Sequence, residues 1–247
     1  MNASQPILIV TGGSRGIGAS VAVGAARRGY GVVINYKDNR KQADAIVSEI
    51  VEAGGKAVAI QGDVGREPDV ERLFSETDKA LGHVTALVNN AGILGPLGRI
   101  ETVPGPALAE LFAINVAGAM LCAREAVKRM STKHGGKGGA IVNVSSALAR
   151  LGGAGETVPY AATKGAIETF TFGLAQEVVS EGIRVNAVAP GVIDTEIHPA
   201  DRMARLGPAL PMKRPGRPDE VANAILWLLS SEASYVSGAI LGVSGAR

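Results

Sequence analysis

"TGGSRGIG", residues 11–18, decides the fold. It follows the apolar run "PILIV" (6–10) and leads into "IGASVAVGAARRG" (17–29), where small and apolar residues recur at helical spacing up to Gly29. A buried strand, a glycine turn and a helix stand in that order. Gly12 allows a sharp turn, Gly16 removes a Cβ where a phosphate would approach, and Gly18 lets the helix pack closely on the sheet. Ser14, Arg15 and Ile17 complete the loop. The helix N-terminus offers free N–H groups and a positive dipole end to a pyrophosphate. A glycine triplet alone is a weak signal, but between a strand and a helix it reads as a dinucleotide site. The competing reading is a turn that binds nothing.

Outward from this turn the pattern repeats. "YGVVIN" (30–35), "KAVAIQGDV" (56–64), "TALVNNAG" (85–92), "GAIVNVSS" (139–146), "IRVNAVAPG" (183–191) and "GAILGV" (238–243) read as further strands. Helices are expected over 40–55, 68–82, 159–181 and 218–230, with two more within 104–131. Strands alternating with helices predict an α/β chain: one doubly wound domain over residues 1–247, with a central parallel sheet of about seven strands and helices on both faces. Ligands in such sheets bind beyond the carboxyl ends of the strands. The glycine-rich "KHGGKGGA" (133–140) reads as a loop, too short to separate domains.

Composition narrows the partners. With 46% hydrophobic residues the chain can bury a large core. Its 25 basic and 23 acidic residues leave a formal charge of +2, which gives no global pull toward nucleic acid or an anionic membrane. No basic, apolar leader opens the chain, and no segment is expected to span a bilayer, so a cytoplasmic protein is the expectation. The single cysteine, Cys122, excludes an intrachain disulfide framework and reads as a small core residue. His83, His134 and His198 have no ligand spacing, so no metal site is expected.

The second strand bears on which dinucleotide binds. An acid at its end would hold a ribose 2′-hydroxyl and repel a 2′-phosphate. Here it runs "VINYKDNR", ending in Asn35, Tyr36 and Lys37. Arg15 and Lys37 could reach a 2′-phosphate, which favours NADP, whereas Asp38 leaves NAD open.

"PYAATKGA" (159–166) carries the candidate chemistry. Residues four apart share a helix face, so Tyr160 and Lys164 point into one cleft. A tyrosine with an ordinary pKa of about 10 exchanges protons poorly at neutral pH, and a nearby ammonium favours its phenolate. Such a pair suits general acid–base work, although two unrelated helix residues would show the same spacing.

The pair does not stand alone. "TGGSRGIG", "NNAG" (89–92), Asn115 in "LFAINVAG", "NVSS" (143–146), "YAATK" (160–164) and "APGVIDTEI" (189–197) occur in one order along nearly the whole chain. In this the sequence resembles the short-chain dehydrogenase/reductase family, with its Rossmann-type fold, and within it the 3-oxoacyl-carrier-protein reductase and glucose dehydrogenase-like branch. The resemblance implies Tyr160 as general acid in reduction and base in oxidation. Lys164 would bind the nicotinamide ribose and lower the tyrosine pKa, Ser146 would hold the substrate oxygen, and Asn115 would interrupt helix geometry and hold a water linked to Lys164. It further implies Asp63 and Val64 beside the adenine. Asn89, Ala91 and Gly92 would lie along the cofactor, with Asn89 supporting the central strand. Pro190 and Gly191 would border the nicotinamide, and Ile193 and Thr195 would hold its carboxamide.

One departure from the pattern exists: Ser146 and Tyr160 are 14 residues apart, one more than is usual in the reductases it resembles. Ser145 is the alternative, because neighbours on a strand point to opposite faces. Residues 192–212 are expected to form a substrate lid, with a possible substrate role for His198. Gly-, Ala- and Leu-rich loops after 92 and 146 lean toward an apolar or mixed carbonyl. Apolar positions on several sides of the helices over 114–130 and 159–181, with the family habit, lead to an expected homotetramer. The expected activity is therefore NADP-preferring interconversion of a small-molecule carbonyl and secondary alcohol. An NAD-dependent sugar or polyol dehydrogenase and a non-catalytic nucleotide-sensing protein are the alternatives.

Overall fold

The computed structural model describes residues 5–196 and 209–247. Seven strands form one parallel sheet in the order β3-β2-β1-β4-β5-β6-β7. They are β1 (Ile7–Val10), β2 (Gly31–Tyr36), β3 (Lys56–Gln61), β4 (Ala86–Asn89), β5 (Gly139–Val144), β6 (Ile183–Pro190) and β7 (Ile240–Val243). Among the described residues the helices are α1 (Gly16–Ala26), α2 (Arg40–Glu52), α3 (Glu67–Ala80), α4 (Gly105–Phe112), α5 (Ala119–Met130), α6 (Leu148–Leu151), α7 (Val158–Val178) and α8 (Pro218–Leu229). After β3 the chain crosses back over β1 to lay down β4. The strand order therefore reverses between β1 and β4, which opens a crevice beyond their carboxyl ends.

The inner strands are largely apolar because both faces are covered, whereas the edge strand β3 exposes Lys56 and Gln61. Successive side chains alternate: Leu8 and Val10 join one core with α1 and α8, whereas Ile9 joins the other with α3 and α5. The same pleat divides Val32 and Ile34 from Val33, and Val142 from Ile141. Each such large side chain, removed from water, stabilises the fold by roughly 1.5–3 kcal/mol before entropy is counted. Cys122 is fully buried in the second core, and burial pushes its thiol up to about 12. That leaves it a small apolar residue.

Several boundaries differ from the sequence expectation. The run 56–64 is a strand only to Gln61, so Asp63 and Val64 sit in the following loop. The run 139–146 is a strand only to Val144. Ser145 and Ser146 therefore lie beyond it, and strand alternation does not choose between them. The two helices expected within 104–131 form one rod. α4 passes through a π-helical turn, Ala113–Gly118, directly into α5. This corrects a further expectation: the rod Gly105–Met130 is, by length and composition, apolar enough to cross a bilayer. In the fold, its Leu111, Ile114, Cys122, Ala126 and Met130 are buried.

Candidate active site

A cleft of about 670 Å³ runs along the carboxyl edge of the sheet, a size typical of small-molecule sites. Its position along the sheet can be read from the strands. Asn35, Tyr36, Lys37 and Gly62 lie at the β2–β3 end, and Ser146 and Gly191 follow β5 and β6.

The glycine turn forms one wall. Gly12 and Gly16 have φ of +60° and +54°, backbone that L side chains rarely adopt. Gly18 does not line the cleft. A Cβ there would stand 2.4 Å from the Gly12 carbonyl oxygen and 2.6 Å from Asn90 Nδ2, so its hydrogen is what lets α1 close on the turn. Gly12, Ser14, Arg15, Gly16 and Ile17 line the cleft directly. α1 begins with no side-chain cap and no acid in its first turn, leaving its amide N–H groups free for an anion.

The switch point is tied by residues the sequence reading did not single out. Thr11 Oγ1 accepts from the amides of Asn90 and Ala91, and Asn90 Nδ2 donates to the carbonyls of Thr11 and Gly12. Asn90, Ala91 and Gly92 line the cleft. Asn89, expected beside the cofactor, is not among the lining residues. It is buried, and its Nδ2 donates to Asn143 Oδ1 and the Ala119 carbonyl. The reason is the pleat: at the end of β4, adjacent side chains turn opposite ways, and Asn90 takes the cleft side. Through these two bonds Asn89 ties the end of β4 to β5 and to the start of α5.

At the β2–β3 end, Asn35 Nδ2 donates to the Gly62 and Ile60 carbonyls while its Oδ1 accepts from the Gly12 amide. Lys37 Nζ is 2.9 Å from Asp63 Oδ2 and 3.9 Å from Glu110 Oε1. The hydrogen bond that Lys37 donates to Asp63 holds its ammonium above the ordinary lysine pKa. Asp38 and Val64 line the same end. Arg15 reaches across to Glu196, at 3.0 Å. The two cations expected to face a 2′-phosphate thus each have a carboxylate partner.

The catalytic candidates gather at the β5–β6 end. Ser146, Tyr160 and Lys164 line the cleft together, as do Pro190, Gly191, Ile193 and Thr195. Lys164 is buried, its Nζ donates to the Val144 carbonyl at 2.7 Å, and it sits 5.5 Å from the centroid of the Tyr160 ring. Burial lowers its pKa to about 8, so the ammonium persists at neutral pH. Ser146 Oγ accepts the Leu148 amide. Ser145 Oγ is held instead by Glu168 Oε1 at 3.0 Å and the Lys164 carbonyl at 3.3 Å.

Asn115 sits in the π-helical turn, behind the lining residues. Its Oδ1 accepts the Ile93 amide, and its Nδ2 donates to the Ile93 carbonyl and to Thr163 Oγ1. Gly92 lies between it and the lysine. A Cβ on Gly92 would be 3.2 Å from Asn115 Oδ1 and 3.7 Å from Lys164 Nζ. Most of the expected lid, with His198, lies outside the described residues.

Known proteins match this arrangement. A family model described as enoyl-(acyl carrier protein) reductase matches residues 12–245. The chain is 48% identical to an uncharacterized oxidoreductase, YgfF, of Escherichia coli (strain K12), over 98% of this chain and 99% of that protein. It is 36% identical to a 3-oxoacyl-[acyl-carrier-protein] reductase of Synechocystis sp., over 97% of this chain and 95% of that one. Among solved structures, a short-chain dehydrogenase of Burkholderia cenocepacia in complex with NADP superposes with a TM-score of 0.89 at 31% identity, covering 99% of this chain and 98% of that one. With the glycine turn, the seven-stranded order and these matches together, the chain belongs to the short-chain dehydrogenase/reductase family of oxidoreductases.

Proposed function

We propose that the chain interconverts a carbonyl and a secondary alcohol with NADP as the preferred cofactor and Tyr160 as the general acid. The observation that carries this is the convergence of Tyr160, Lys164 and Ser146 in the same cleft as the glycine turn. The uncapped start of α1 and the glycines beside it fit a pyrophosphate, and Lys37 and Arg15, each also paired with a carboxylate, supply the cleft with cations for a 2′-phosphate. A Burkholderia relative that binds NADP supports the same preference. When bound, the nicotinamide supplies or accepts the hydride.

The chain's own residues do the rest. Ser146 Oγ holds the substrate oxygen near the Tyr160 hydroxyl. Tyr160 gives its proton to that oxygen as a carbonyl is reduced, and takes it back in the reverse direction. The Lys164 ammonium stabilises the phenolate that remains. Asn115, through Ile93 and Thr163, fixes the wall on which Tyr160 and Lys164 stand. Exposed Phe112, Met120 and Phe172 fit the expected association into a homotetramer. A second reading, an NAD-dependent sugar or polyol dehydrogenase, is favoured by Asp38 in the cleft beside Lys37.

The test pairs fluorescence titrations of NADPH and NADH with turnover of thioester, diketone and sugar substrates, in wild type and Tyr160→Phe. Tighter NADPH binding, with turnover lost but binding retained in Tyr160→Phe, is expected. Turnover undiminished in Tyr160→Phe would refute the proposed acid.

A further inference from the structure

The cleft does not end at the catalytic residues. Beyond β5 and β6 lies the edge strand β7, and the segment that follows it reaches the cleft at Arg247. Ser244 packs on Gly191, where a Cβ would stand 2.8 Å from the Ser244 carbonyl oxygen. Gly245 and Ala246 then both adopt positive φ, +61° and +67°. Ala246 carries a Cβ in this conformation, which costs of order 1 kcal/mol or more, and such outliers cluster where geometry serves a ligand. Ser244 Oγ donates to the Arg247 carbonyl at 3.0 Å and closes the turn. The result is that Arg247 lines the cleft.

The charges along the cleft divide by position. Lys37, Asp38, Asp63 and Glu110 gather at the β2–β3 end, and Arg15 is matched by Glu196. Among the described residues, the charged ones that line the β5–β7 end are Lys164, buried and bonded to Val144, and Arg247, exposed and without an ion-pair partner. Apolar residues line the same cleft: Ile93, Leu94, Leu148, Leu151 and Val192. A cleft that brings together a polar reaction centre, apolar residues and an arginine without an ion-pair partner suits one kind of molecule.

We propose that the substrate is a keto acid, or the matching hydroxy acid, whose carboxylate is bound by Arg247 while its carbonyl meets Tyr160 and Ser146. This rests on the proposed carbonyl chemistry and adds the class of substrate. The guanidinium presents paired N–H donors that match the two oxygens of a carboxylate. β5 and β7 are two strand spacings apart, roughly 10 Å. Arg247 follows β7 and Ser146 follows β5, so an acid joined to its carbonyl by methylene groups suits the pair, and the apolar lining residues accept those groups.

The experiment compares 4-oxopentanoate, 5-oxohexanoate and 7-oxooctanoate with their methyl esters in wild type, Arg247→Gln and Arg247→Lys. Calorimetric binding of hexanoate to unloaded and NADPH-loaded protein runs alongside. In wild type the acids are favoured over the esters. In Arg247→Gln the acid-to-ester ratio of kcat/KM falls about tenfold or more, chiefly through KM, as loss of a charge-assisted hydrogen bond predicts. Arg247→Lys recovers part of it, and hexanoate affinity falls in parallel. An acid-to-ester ratio and hexanoate affinity unchanged in Arg247→Gln would overturn the proposal. The two readings fail separately. Turnover surviving in Tyr160→Phe refutes the acid-base chemistry, while Arg247-dependent hexanoate binding still supports the carboxylate site.

Discussion

Replacing Asn115 by alanine tests whether one side chain holds the catalytic wall together. Asn115 makes three hydrogen bonds from the π-helical turn: the Ile93 amide to its Oδ1 at 2.9 Å, its Nδ2 to the Ile93 carbonyl at 2.9 Å, and its Nδ2 to Thr163 Oγ1 at 3.2 Å. In Asn115→Ala both backbone groups of Ile93 lose their partner at once. Asn115 is 2% exposed and Ile93 half-buried, so water replaces the lost bonds only in part. Thr163 suffers less, because its hydroxyl still donates to the Tyr160 carbonyl. Each stranded backbone group costs about 1–3 kcal/mol when buried. Taking the lower half of that range for a half-buried residue gives a loss of about 2–4 kcal/mol. Urea denaturation followed by circular dichroism measures it, with an unchanged m-value confirming that the same surface is exposed. A loss below about 0.5 kcal/mol would refute the idea that Asn115 clamps Ile93.

Two other outcomes follow from contacts at the site. Gly18→Ala puts a Cβ 2.4 Å from the Gly12 carbonyl oxygen and 3.0 Å from Gly13 Cα, both backbone, so α1 must back away from the turn. Overpacking of this kind costs about 1–3 kcal/mol. NADPH affinity should drop along with stability, and titration showing wild-type affinity would contradict the close packing. Lys164 has a folded-state pKa of about 8, below its ordinary 10.5. Below pH 8 it is charged in both folded and unfolded chains, and the fold bears the cost of its burial. As pH rises from 8 to 10.5 the folded lysine loses its proton first, and that cost is relieved. The stability of the wild type relative to Lys164→Met should therefore rise with pH across this window, by of order 3 kcal/mol. Denaturation series at pH 7 and pH 10 giving the same difference would show that the ammonium is not desolvated.

The sheet was legible because both its faces are buried. Apolar runs bounded by glycine and by amphipathic helices have few other readings, and each expected strand has its counterpart. The cleft residues were legible wherever a motif followed a strand directly, as at Gly12, Gly16, Gly92, Ser146 and Gly191. What escaped was local rotation. Whether Asn89 or Asn90 faces the cleft depends on the pleat at the last residue of β4, which composition does not encode. The continuity of α4 and α5 escaped for a related reason: a π-helical turn shifts the helical period, so the apolar spacing reads as two helices. Arg247 went unread because it belongs to no motif. Its position depends on two left-handed residues, one of them an alanine.

The π-helical turn also fixes how the rod can change. It carries one residue more than an α-helical turn of the same rise, and each helical residue turns the chain by about 100°. Deleting one residue between Ala113 and Gly118 would restore a regular ladder of backbone bonds. It would also swing Cys122, Ala126 and Met130 about a quarter turn away from the core they now fill. The irregular turn and the buried stripe after it are therefore matched in phase. A sequence change that straightens one misaligns the other, so the chain can keep Asn115 at the site and a filled core only by keeping the extra residue.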